Sequence, residues 1–194
     1  MFLTFSCPIH TIHLDIPNID ELVQYAYQES KISEGVKKSN AGGWQSFDDY
    51  HGVDNPISKV IHLYLQEFFN NREIFSKNST MKMNSMWINI NNPGNYNHSH
   101  NHPGSDLSGV LWLKVPKDSG NIVFESPNSF AQAKLMEAYS QKFKDEHTLH
   151  DWFFMQPQVG LLILFPSHLN HSVTKNDSDE DRISVAFNVS VHHE

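Results

Sequence analysis

Three histidines alternate within five residues of the stretch Asn97-His98-Ser99-His100-Asn101-His102-Pro103-Gly104-Ser105-Asp106. In a strand, residues two apart share a face, so His98, His100 and His102 would project together. Clustered imidazoles repel one another if protonated and lose hydration if buried without partners. A divalent metal removes both difficulties by taking the ring nitrogens as ligands. Any one of these histidines, among Asn, Ser, Gly and Pro, reads as an exposed loop residue. The set reads as a metal site only if a distant ligand joins it. The segment "GLLILFPSHLNHSV", from Gly160 to Val173, offers that ligand. Its apolar run leads into a tight turn that can carry His171 back toward the first cluster, with His168 left at the surface. Arg182 follows eleven residues after His171. Its guanidinium either binds a carboxylate ligand in bidentate fashion or sits at the rim, paired with Asp179, Glu180 or Asp181.

The frame around these residues is that of an ordinary globular chain. Its 194 residues suit one domain, spanning 1–194. The formal charge of −8 argues against general nucleic-acid binding, which wants a basic face for phosphates. The single cysteine, Cys7, forbids an internal disulfide and points to a reducing, cytoplasmic setting. "MFLTFSCPIHTIHLDIP" has no basic start and is not a signal peptide. No run of about 18 apolar residues spans a membrane. A homodimer is compatible with the sequence.

The elements that must position the histidines fall into two groups. Residues 2–14 alternate loosely, as in a first strand. Asn18-Ile19-Asp20-Glu21 resembles a capping box that starts a helix running to about residue 32. Residues 37–55, rich in Gly, Asn and Asp, read as a loop. Asn55-Pro56 starts a second helix with Ile57, Val60, Ile61, Tyr64, Leu65 and Phe68 on its buried face. After that the period changes. Strands are predicted at 81–90, 107–115, 121–125, 151–157, 160–165, 170–174 and 182–191, with an inserted helix over 128–146. The expected fold is mainly β, with N-terminal helices (about 1–75) packed on the sheet of a sandwich or barrel (about 80–192). Trp87, Trp112, Phe124, Phe165 and Phe187 read as core.

Two resemblances sharpen this reading. From Gly94, the chain reads glycine, five residues, His100-Asn101-His102, three residues, Asp106. From Gly160 it reads glycine, five residues, Pro166, four residues, His171. These spacings resemble the two metal motifs of the cupin superfamily, with Asp106 in place of the usual glutamate, and His168 and Leu113 in place of glycines. More narrowly, "NPGNYNHSHNHPGSDLSGVLWLKVP", "GNIVFESP", "GLLILFPSHLNHSV" and "DRISVAFNV" resemble, in the same order, a family of 2-oxoglutarate- and Fe(II)-dependent oxygenases. That family carries His-x-His-Pro before "SGVYYL", then "FPS-x-L-x-H" and "ERISISFN". The resemblance covers about the last half of the chain.

It implies a double-stranded β-helix, the cupin-like jelly roll, and an Fe(II) centre with 2-oxoglutarate as cosubstrate. His100 and His171 match the two histidines of the metal triad. His102 stands where most such oxygenases have aspartate, and the third ligand is either His102 or Asp106; we expect His102, with Asp106 outside the ligand set. Arg182 and Ser184 match the pair that binds the far carboxylate of 2-oxoglutarate, and Asn89 is a further candidate donor to the cosubstrate. The implied reaction is hydroxylation of a small-molecule or peptidyl substrate, releasing succinate and CO2. The rival readings are a cupin-type metal enzyme that does not use 2-oxoglutarate and a non-catalytic jelly-roll binding module.

Overall fold

The computed structural model describes residues 6–50, 54–71, 73–128 and 134–193. Eleven strands among these residues form two sheets, and every pairing between the strands is antiparallel. The large sheet runs in the order β1 (His10–His13), β9 (Leu161–Pro166), β6 (Leu107–Lys114), β11 (Arg182–His193), β4 (Ser79–Asn91) and β3 (Trp44–Gln45). The small sheet runs β2 (Asn40–Ala41), β5 (Tyr96–His100), β10 (His171–Val173), β7 (Ile122–Glu125) and β8 (Trp152–Met155). Successive strands β4 and β5, β6 and β7, and β9 and β10 each cross from the large sheet to the small one. This is the expected double-stranded β-helix.

Alternation along the strands decides which residues meet the helices and which meet the interior. On β4, Met86, Ile88 and Ile90 join one core; on β11, Ile183, Val185 and Phe187 join the same core. Helices α1 (Ile19–Ile32) and α2 (Pro56–Asn70) cover that face through Leu22, Ala26, Ile57, Ile61 and Leu65. The intervening residues Trp87, Asn89 and Asn91 of β4, and Arg182, Ser184 and Ala186 of β11, face a cavity between the sheets. A chain that needs an apolar back and a polar front to one sheet obtains both from a period of two.

The helix starts show how backbone conformation decides a cap. Asn55, with extended backbone (φ −118°, ψ 159°), accepts a hydrogen bond from the Ser58 amide at 2.8 Å, as Asn-Pro predicts. Asn18 does not cap α1 with its side chain. Its ψ of 36° departs from the extended geometry that aims an N-cap side chain at the first turn, and its carbonyl alone takes the Glu21 amide at 3.0 Å.

Three other expectations change. The 37–55 segment contains β2 and β3, each two residues long and too short to show a period. The 128–146 segment holds two short helices, α3 (Lys134–Ala138) and α4 (Gln141–Glu146), separated where extended Ser140 caps α4 by accepting from the Phe143 amide; residues 129–133 lie outside the described residues. The first strand is confined to His10–His13, and residues 1–5 also lie outside. No helix among the described residues is long and apolar enough to cross a membrane.

Candidate active site

The small sheet brings the distant histidine to the first pair. His171, at the start of β10, is registered directly opposite His100, at the end of β5. His102 lies just past β5, where its amide donates to the carbonyl of Ser167 in the turn between β9 and β10. The three rings have centroids 4.9 Å (His100–His102), 4.4 Å (His100–His171) and 5.2 Å (His102–His171) apart. One nitrogen from each falls within 4.8 Å of the others.

His98 is not part of this cluster, although simple alternation would have put it there. The step from His171 to Val173 on β10 spans two residues, while its partners on β5, His100 and Asn97, are three apart. The extra residue is a bulge. It turns Asn97 and His100 to the same cavity and leaves His98 exposed, its ring against Tyr96. Asp106 stays outside the cluster as well: its carboxylate accepts the Val191 amide at 2.8 Å. His168 is exposed.

The electronic state of the cluster suits metal ligation. Nδ1 of His100 donates to the His98 carbonyl at 2.7 Å, and Nδ1 of His171 to the Leu169 carbonyl at 2.9 Å. A carbonyl only accepts, so both rings carry their proton on Nδ1 and leave the Nε2 lone pair free. Burial pushes the His171 pKa down to about 3, with the neighbouring His100 adding to the effect. Burial, then the charges of His100 and Lys38, push His102 down to about 4. His100 is lowered too, chiefly by burial. At neutral pH all three are unprotonated, the state in which an imidazole can ligate a metal.

The far end of the cavity is built from the large sheet. Arg182 is 1% exposed and has no carboxylate partner among the described residues. Its Nη1 donates to the carbonyl of Ser119 and more weakly to that of Thr174 at 3.4 Å, while Nη2 is buried with no partner. The neighbouring acids are committed elsewhere: Glu180 to Lys114 at 3.0 Å, Asp181 to Asn92 and Tyr27. The rim reading of Arg182 is therefore wrong. Burial lowers its pKa to about 10, which still leaves it charged at neutral pH. Ser184 faces the same cavity, and Asn89, directly opposite it in register, has a buried Oδ1 without a partner. Gly120 lets this happen: a Cβ there would stand 2.6 Å from the Thr174 carbonyl and 2.9 Å from Nη1 of Arg182.

Two spaces meet at His100 and His102. A narrow inner pocket, about 40 Å³, runs between the histidines and Arg182 and is also walled by Trp112, Phe165 and Asn91. A wider outer cleft, about 460 Å³, opens past Lys38, Gln45, Ser85, Trp87 and Asn188. Gln45, Asn97 and Ser119 carried no signal in the sequence, and Asn188 none beyond its place in "DRISVAFNV", because their places come from pairing and turns. Of the aromatics read as core, Trp112, Phe165 and Phe187 are buried yet also wall the inner pocket, and Trp87 touches the ring of His102 at 5.4 Å.

Residues 85–188, more than half of the chain, match the family described as "Putative 2OG-Fe(II) oxygenase". The chain belongs to this family. It is a 2-oxoglutarate- and Fe(II)-dependent oxygenase, and the family's reaction releases succinate and CO2. The fold agrees with solved structures of such enzymes. A prolyl-4-hydroxylase from Pseudomonas putida is 14% identical, with a TM-score of 0.64 over 94% of this chain and 93% of that one. The epimerase SnoN of nogalamycin biosynthesis is 13% identical, with a TM-score of 0.68 over 96% and 80%. The viral collagen prolyl hydroxylase of Paramecium Bursaria Chlorella virus-1, solved with 2-oxoglutarate, is 14% identical, with a TM-score of 0.59 over 93% and 94%. No curated protein matches the sequence.

The oxygenase's residues fit both groups its chemistry needs. Three neutral imidazoles with convergent nitrogens suit Fe(II), and a buried guanidinium with an unsatisfied Nη2 suits a carboxylate.

Proposed function

We propose that His100, His102 and His171 are the iron ligands of this oxygenase, that Arg182 and Ser184 hold the far carboxylate of 2-oxoglutarate, and that the side-chain amide N–H of Asn89 is a further donor to the cosubstrate. The observation that carries the assignment is the polarity of the inner pocket. Convergent imidazoles stand at one end and a buried guanidinium without an acidic partner at the other. Asp106, fixed on the Val191 amide, has no part in it.

Held by these residues, iron and 2-oxoglutarate would supply the activation of dioxygen, one oxygen atom going into succinate as CO2 is lost and the other into a C–H bond of the substrate. The chain's own part is to hold and orient. The backbone carbonyls of His98 and Leu169 fix the ring orientation of His100 and His171. Arg182 and Ser184 set the direction in which the cosubstrate points. Trp112 and Phe165 narrow the inner pocket and give it an apolar wall, which limits water there. The small-molecule or peptidyl substrate enters by the outer cleft, which reaches His100 and His102 from the other side. The single cysteine is consistent with a reducing, cytoplasmic compartment, and the net charge of −8 argues against nucleic acid as a general partner.

Titration with Fe(II) under anaerobic conditions tests the assignment. With 2-oxoglutarate present, a weak visible charge-transfer band of a chelated keto acid should appear. It should be absent in His171→Ala. A band of full strength in that variant would sink the ligand assignment.

A further inference from the structure

We propose that the substrate of this oxygenase is an organic anion, drawn to the histidine end of the site by a positive charge that the protein leaves uncompensated. The inference rests on the assignment of the three histidines to iron and of Arg182 to 2-oxoglutarate. Imidazoles ligate metals as neutral groups and bring no charge. Fe(II) brings two positive charges and Arg182 one, while dianionic 2-oxoglutarate cancels two. One positive charge is left. A carboxylate at position 102 would cancel it; His102 does not.

The walls do not cancel it either. The chain has 22 acidic residues against 14 basic ones, yet among the described residues Asp48 is the one carboxylate lining either the inner pocket or the outer cleft. It is half exposed and paired with Lys38 at 2.7 Å, so that pair adds no net charge. Two further acids, Asp106 and Glu125, line neither space and are hydrogen-bonded. Asp106 takes the Val191 amide, and Glu125 takes the Ser99 hydroxyl and the Asn170 amide. An unbalanced charge withdrawn from water is costly and favours capture of a counter-charge.

The outer cleft says which kind of anion. At about 460 Å³ it has room for an organic molecule rather than a bare halide. Its polar wall includes Ser85, Asn188 and Gln45, and Oε1 of Gln45 is buried with no partner. That oxygen accepts from an N–H or O–H on the same molecule. The substrate class is thus an organic anion with a hydrogen-bond donor, for which acetate is the simplest probe of the charge.

The test uses the anaerobic Fe(II) and 2-oxoglutarate complex, titrated at constant ionic strength with acetate, with its neutral isostere acetamide, and with chloride. The readout is the charge-transfer band. Acetate should shift the band without abolishing it, with an affinity at least about tenfold above those of acetamide and chloride. In His102→Asp, or His102→Glu as a second route to the same charge, the band should still form and acetate affinity should fall by about tenfold or more. The acetate and acetamide comparison on the wild-type protein decides the matter alone if neither variant folds. Equal binding of acetamide, tighter binding of chloride, loss of the band to acetate, or an unchanged band with acetate present each overturns the proposal while leaving the iron assignment standing. A wild-type protein that forms no band overturns both.

Discussion

The pair β4–β11 and the pair β5–β10 build the two ends of one site in different ways. β4 and β11 stay in register from Arg182↔Asn91 to Asn188↔Ser85 and, after one irregularity, on to His193↔Ser79. Every second side chain along this ladder is committed to the helix-covered core or to the cavity. Asn89, Ser184 and Arg182 are placed by that regularity. β5 and β10 meet only through His171↔His100 and Val173↔Asn97, with a bulge between. There the histidines are placed by an irregularity, a turn and a strand end. A long ladder positions side chains by period; a short bulged pair positions them by local geometry, which is where functional sites commonly depart from regular structure.

If the two ends are separate in this sense, they should be separable by mutation. The largest effect is expected at the small sheet. His171→Ala removes one of three proposed ligands and should weaken Fe(II) binding by more than about 100-fold, beyond the loss usual for a group that merely supports a ligand. Metal titration of the purified variant measures it.

At the large sheet, Arg182→Met keeps most of the volume and removes the donors. Loss of 2-oxoglutarate affinity should be on the order of 2–5 kcal/mol, roughly thirty- to several-thousand-fold, with iron binding nearly intact. Cosubstrate-dependent succinate release and the metal titration together give the answer. Arg182→Met losing iron as fully as His171→Ala would break the separation.

The pH response of the metal-free protein sharpens the same contrast. His171 and His102 titrate near 3 and 4 in the folded state, lowered chiefly by burial, against about 6.5 when unfolded. Below the unfolded value the unfolded chain binds more protons than the folded one. Stability should therefore fall as pH drops from about 6.5 toward 4, each histidine contributing at most about 1.4 kcal/mol per pH unit. Iron, which competes with the protons, should shift the loss to lower pH. Thermal melts of the metal-free and metal-loaded protein across this range measure it; equal melting temperatures at pH 7 and pH 5 without metal would contradict the buried, neutral cluster.

The smallest effect is expected from Asp106→Asn. Asp106 is exposed, off the cluster and bound to the Val191 amide. Iron affinity should stay within about twofold of wild type, the scale of an ordinary surface substitution. A loss matching that of His171→Ala would reinstate the cupin-like ligand set.

By itself the sequence determined the residue types and their order along the chain. Asn55-Pro56 and the helical spacing of Ile57, Ile61 and Leu65 were enough to place α2, because an N-cap and a buried stripe are local properties. The alternation of "RISVAFNV" determined that Arg182 and Ser184 share a face, because a strand has a period of two. The motif spacing singled out His100 and His171, with His102 or Asp106 as the third, before any contact was known. What only the tertiary structure decided is which face looked inward and which neighbours came along. The bulge excluded His98, and nothing in "NHSHNH" marks it, since a bulge is set by the partner strand. Whether Arg182 met its acidic neighbours or an open pocket depended on Lys114, Tyr27 and Asn92 claiming Glu180 and Asp181 from other elements. Gln45 and Asn97 reached the site through strands β3 and β5, whose pairing closes over long stretches of chain. Period and capping act within a few residues and can be read from them; burial, charge partners and register are properties of the assembled sheets.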